Sequence, residues 1–100
     1  MSVDLSSALQ MVKARLNRLQ SDTTLDEYLQ SRIDAAVSEI EGTGIHLTDS
    51  ADDLMLVVDY AVEQYQGRDK PGGLPDWLRL RRRERWLHER TIRGVSADDS

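Results

Sequence analysis

The sequence predicts an all-α fold, a small bundle of about four helices with a basic C-terminal helix, and three observations predict it. Apolar residues recur at steps of three and four in successive segments, which places them on single helical stripes. Short breaks rich in Ser, Thr, Asp, Gly and Pro separate those segments, and such residues cap or end helices. The chain has 100 residues, 39% of them apolar and 31% charged, enough for one compact domain around a single core. Aromatics are confined to Tyr28, Tyr60, Tyr65, Trp77 and Trp86, so the core is expected to consist mainly of Leu, Ile, Val, Ala and Met.

The first helix is expected from about Leu5 to Leu19, with Leu5, Leu9, Val12, Leu16 and Leu19 on one stripe. Asp4 is placed to cap its start, and Lys13, Arg15 and Arg18 load the C-terminal half, where the helix dipole favours cations. Ser21 to Thr24 break the pattern. Thr24 and Glu27 then have the spacing of a capping box, and the second helix presents Leu25, Leu29, Ile33, Ala36 and Ile40 on one face. Gly42-Thr43-Gly44 ends it, since glycine suits the left-handed position after a helix.

The third helix is expected over Ala51 to Gln66, opened by Ser50 and Asp53 in another capping-box pattern. Leu54 to Val58 alone reads as a buried strand, but Asp52, Asp59, Glu63 and Gln66 fall on one narrow polar strip at helical spacing. A helix apolar on its remaining sides is expected to be the most buried of the four. Gly67 to Gly73 reads as a loop. Pro75 suits the first position of a last helix, Asp76 its first turn, and that helix is expected to run to about Arg93. Residues 1–94 thus form one domain, followed by a flexible acidic tail over 95–100.

Residue types bound the chemistry. Without cysteine there are no disulfides and no thiolate metal sites, and no apolar run reaches the roughly 20 residues that span a bilayer. Met1 to Asp4 do not open a signal peptide, so a soluble protein made in the cytoplasm is expected. His46 and His88 are the only histidines. His88-Glu89 begins like a metalloprotease helix, but position 92 is Ile where a second His is required. Asp49, Asp52 and Asp53 lack the alternation of a calcium loop and are explained by helix capping. Neither Gly42-Thr43-Gly44 nor Gly72-Gly73 has the lysine and spacing of a phosphate loop, and no serine sits in a nucleophile elbow. The expectation is a protein that is not an enzyme and takes no metal or cofactor.

Charge is unevenly spread. Residues 1–67 hold 12 acids against 4 bases, a balance of −8, while residues 68–93 hold 9 bases against 4 acids, a balance of +5. An acidic body therefore carries a basic C-terminal segment. On a helical wheel of residues 77–92, Trp77, Leu80 and Leu87 share a narrow arc, expected to pack on the other three helices. Trp86 falls opposite, among Arg79, Arg82, Arg83 and Arg90. This face is either a solvated arginine surface, with Arg85 and Glu89 as an i,i+4 pair, or a contact surface, since Trp and Arg are enriched in binding hot spots. Protein docking is favoured over DNA, because the acidic body repels phosphates and no helix-turn-helix pair is visible.

The order of these segments resembles the gp6-like/gp15-like head–tail connector (adaptor) family of tailed bacteriophages over most of residues 5–92. The likeness is carried by Val12 to Leu16, Asp26-Glu27-Tyr28-Leu29, the segment Leu29 to Ile40 closed by Gly42-Thr43-Gly44, then Leu56 to Tyr65, and Leu74-Pro75 before a charged final helix. The connection from Ile45 to Asp49 is shorter than in longer members, and the last helix is richer in arginine. The resemblance implies a virion subunit that forms a ring, normally twelvefold, beneath the portal protein, extending the DNA channel and supporting a tail-completion (stopper) protein. It implies portal contact by the last helix, carried here onto Trp77, Arg79, Arg82, Arg83, Trp86 and Arg90. An acidic lining would let packaged DNA pass without specific binding, and Glu39, Glu41, Asp59 and Glu63 are the candidates. The competing expectation is a small DNA-binding or regulatory protein using the arginine helix on phosphates.

Overall fold

The computed structural model describes residues 3–67 and 73–98, with side chains described as far as Thr91. Four helices follow one another: α1 (Leu5–Arg15), α2 (Asp26–Glu41), α3 (Ala51–Gln66) and α4 (Asp76–Asp98). No strand occurs among the described residues, so the protein is an all-α bundle. The expected loop residues 68–72 lie outside the described residues.

Asp4 caps α1 as expected, accepting from the Ser6 and Ser7 amides at 3.0 and 3.3 Å. The helix stops at Arg15, well short of Leu19, because Asn17 turns left-handed (φ 60°). The Arg18 amide then reaches back to the Lys13 carbonyl at 2.8 Å and the Asn17 amide to Ala14 at 3.1 Å. This is a Schellman closure with asparagine where glycine is commoner, and it leaves Leu19 outside the stripe, 74% exposed. Lys13 is buried and spans the break, its Nζ lying 2.9 Å from both the Gln20 carbonyl and Asp26 Oδ1.

The capping box expected at Thr24 and Glu27 does not form. Leu25 occupies the cap position with no side-chain bond, one residue later than expected. Thr24 instead turns toward Asp22, whose Oδ1 accepts its amide at 3.0 Å and its hydroxyl as well. Beyond that point α2 follows its sequence pattern: Leu29, Ile33, Ala36 and Ile40 are fully buried. Gly42 stays right-handed, and Gly44 takes the left-handed turn at φ 103°.

The third helix has the expected bounds and is the centre of the bundle, with every residue from Leu56 to Val62 buried. It packs against α1, α2 and α4. The Ser50 hydroxyl caps it, accepting from the Asp53 amide at 3.2 Å. The reciprocal half of the box is absent, because Asp53 accepts from Thr48 instead, amide at 2.8 Å and hydroxyl at 2.9 Å.

Pro75 lies just before α4 rather than in its first turn, and its carbonyl accepts from the Leu78 and Arg79 amides. The helix continues to Asp98, past the expected stop near Arg93; the acidic tail expected over 95–100 lies outside the residues whose side chains are described. At 23 residues α4 is about 34 Å long at 1.5 Å per residue. The molecule is accordingly drawn out, 52 × 31 × 17 Å, with a radius of gyration of 14.7 Å against about 13 Å for a compact chain of this length.

Candidate functional site

The last helix sits the opposite way round from the apolar reading of its wheel. Trp77, Leu80 and Leu87, expected to pack inward, are 45%, 56% and 45% exposed. Facing the body are Leu78, fully buried, and Arg81, Arg82, Arg85, Trp86 and Glu89. The reason lies on α3, which offers carboxylates rather than an apolar groove at this seam. A buried carboxylate must be paired, and arginine is the side chain that reaches and pairs it bidentately.

Two such carboxylates anchor the seam. Asp53, only 2% exposed, receives Arg85 through Nε at 2.8 Å and through a terminal nitrogen at 3.2 Å. Burial pushes the Asp53 carboxyl up, but Arg85 and the Thr48 donors outweigh it and hold it below the usual carboxylate range. Arg85 also donates to Glu89 and to the His46 carbonyl, both at 2.9 Å. Glu89, likewise buried, faces His46, with Oε1 3.3 Å from its amide and Oε2 3.0 Å from Nδ1. Desolvation raises the Glu89 carboxyl, but the opposing pull of Arg85 and the His46 contacts brings it down to about 2. The Arg85 guanidinium is raised in turn, chiefly by its bond to Asp53. This i,i+4 pair of Arg85 and Glu89 is thus an interior element, unlike the solvated pair that one of the two readings of this face held.

The second anchor is Asp59, expected on an exposed strip and as a channel-lining group. It is buried between α1 and α4, paired with Arg15 at 2.5 Å and with Arg81 on its other oxygen. Two guanidiniums cover it, so it cannot present charge to a channel. The other three candidates are more accessible. Glu39 accepts from Tyr60 Oη at 3.3 Å and Gln64 at 3.0 Å while remaining exposed; Glu41 is exposed; Glu63 is half-buried beside a cleft shared with Arg32 and Leu74. Tyr60 is buried, and its phenol is raised by burial and then by the Glu39 carboxylate.

Of the residues expected to contact a partner, the structure gathers four. Arg79, Arg82, Arg83 and Trp86 line a cleft with Thr43. Arg90 stacks on the Trp86 ring at 5.0 Å, and Arg82 donates to Tyr60 Oη at 3.1 Å while lying 5.9 Å from its ring. Trp86 is not the bare indole expected. It is half-buried against the core, and a Cβ on Gly44 would stand 3.6 Å from its Nε1. Trp77 belongs to the other face, with Leu80 and Leu87.

The outward stripe and the buried arginine seam are what sequence reasoning missed. One signal for the seam was present: Asp53 shares a helical stripe with Leu56, Val57 and Tyr60, and a carboxylate on an apolar face demands a cation. No group of three or more His, Cys, Asp or Glu suited to holding a metal occurs among the described residues, and no described helix is long and apolar enough to cross a membrane. No known protein family, characterised protein or solved structure matches this chain.

Proposed function

We propose that this chain is a non-catalytic interaction subunit, the head–tail connector of a tailed bacteriophage. In this reading it assembles as a ring beneath the portal, extends the DNA channel in the virion and supports the tail-completion protein. One observation carries the proposal: α4 has two working faces. Its inner face is fastened to the body by Arg81, Arg85 and Leu78, and its outer face holds Trp77, Leu80 and Leu87 in solvent. An apolar stripe of this kind on a small acidic protein favours a protein partner, and tryptophan is a frequent anchor of such contacts. The length of α4 suits a subunit that bridges neighbours, and heterologous contacts between copies close into rings.

The reading as a DNA-binding protein is weakened by the same seam. Arg15, Arg81 and Arg85 are spent on internal carboxylates, which takes three cations away from any contact with a duplex. The test is assembly with purified portal rings, followed by sedimentation and electron microscopy. Wild-type protein should decorate the rings, and Leu80→Asp should not, at unchanged helicity. Failure of the wild type to bind portal or to form rings would refute the proposal, as would tight duplex binding that falls steeply with salt.

A further inference from the structure

The fold makes no use of the cleft lined by Thr43, Arg79, Arg82, Arg83 and Trp86, about 250 Å³ in volume. Its chemistry differs from the seam a turn away. Arg81 and Arg85 end on buried carboxylates, whereas no carboxylate lines this cleft. Arg83 meets no acid among the described residues, Arg82 donates to a neutral phenol, and the partner of Arg79 is Asp76, a side chain 93% exposed. Trp86 supplies an apolar wall that cannot swing away, because the core and the Gly44 turn hold it from behind and Arg90 lies across it. Three guanidiniums and a fixed indole therefore converge on one small space.

We propose that this cleft binds an acidic segment of a partner polypeptide, with Asp or Glu carboxylates on the guanidiniums and an adjoining apolar side chain on the Trp86 indole. Guanidinium and carboxylate match as paired hydrogen-bonding forks, and an apolar side chain laid on the indole would cover part of this open cleft from water. Nucleic acid fits less well. The apolar wall of Trp86 between these cations suits a carboxylate flanked by an apolar side chain, which a peptide offers and a phosphate backbone does not. The inference rests on the reading of the chain as an interaction subunit only in taking the ligand to be a polypeptide.

The probe is a short fluorescein-labelled peptide of alternating aspartate and leucine, titrated into the full chain at moderate salt, with the Trp86 indole N–H resonance as local reporter. A lysine–leucine peptide, a single-stranded thymidine oligonucleotide and inorganic phosphate are titrated alongside. The acidic peptide should bind and shift the Trp86 signal. Arg83→Glu, which removes no contact of the fold, should weaken it about tenfold or more, equivalent to about 1.4 kcal/mol. Arg32→Glu, the same charge change made at the separate cleft beside Glu63, Gly67 and Leu74, should leave peptide binding unchanged. Equal affinity of Arg83→Glu and wild type overturns the proposal, as does an oligonucleotide or phosphate that binds more tightly than the peptide. If the peptide result holds while portal assembly fails, the cleft stands and the connector reading falls.

Discussion

Replacing Arg85 by Met keeps most of the aliphatic stem and removes the charge that faces Asp53, Glu89 and the His46 carbonyl at once. Asp53 is 2% exposed, so its carboxylate would be left in the interior with only the Thr48 amide and hydroxyl as donors. Breaking a buried pair by removing one partner costs about 3–5 kcal/mol. The surviving Thr48 bonds and the 15% exposure of the Arg85 side chain argue for the lower end, about 3 kcal/mol. For a chain of this size that is a fall in Tm of about 12 °C or more. Urea unfolding followed by circular dichroism measures it, with Arg83→Met as the control. Arg83 pairs with no described carboxylate and should change stability by less than about 0.5 kcal/mol. A cycle with Asp53→Asn isolates that pair, and the double variant should recover part of the loss, since Glu89 still loses its Arg85 donor. If Arg85→Met and Arg83→Met unfold at the same urea concentration, the seam does not hold α4 as argued.

Three further outcomes follow from the same structure. Leu78→Ala should cost about 2–5 kcal/mol through a cavity at a fully buried site, while Leu80→Ala should stay within about 0.5 kcal/mol; equal effects in urea would mean α4 docks by its other face. At Asn17, with φ of 60°, glycine should be neutral or stabilising and Val should destabilise by about 1 kcal/mol or more, read from thermal melts. The Glu89 carboxyl is lowered from 4.5 to about 2, so its contribution is complete above pH 4.5 and is lost as pH falls toward 2. Acid titration followed by tryptophan emission should therefore show a limb in that window that Glu89→Gln flattens, and an unchanged limb in the variant would rule Glu89 out as its source.

The parts of the fold governed by apolar spacing were legible in the sequence. The stripe of Leu29, Ile33, Ala36 and Ile40 on α2 and the bounds of α3 follow from periodicity and a serine cap, both local signals. The errors came where a polar residue did something non-local or rare. Asn17 closes α1 early in a conformation usually left to glycine, so the stripe ends at Leu16 and the expected continuation to Leu19 fails. On α4 the wheel assumed that apolar residues point in and arginines out. That assumption fails when the neighbouring helix supplies buried acids, as Asp53 and Asp59 do. Arg79, Arg82, Arg83 and Trp86 could be singled out by composition, but their cleft depends on Thr43 and the turn at Gly44, which spacing alone does not bring near.

Asp59 has two oxygens, and each belongs to a different helix, Arg15 on α1 and Arg81 on α4. A single carboxylate is thus the rivet through which the first and last segments of the bundle feel one another. Any load that draws α4 off the body along its length strips one cation from that rivet and leaves α1 to balance the remaining charge by itself. A slip of α4 by one turn, about 5.4 Å, would carry one of Arg81 and Arg85 to the place the other held, so one aspartate is paired again and the other loses its α4 cation. An oily contact would tolerate intermediate positions, whereas this one has discrete notches, so a pull on the outer end of α4 is passed to α1 and α3 as a step instead of a slide.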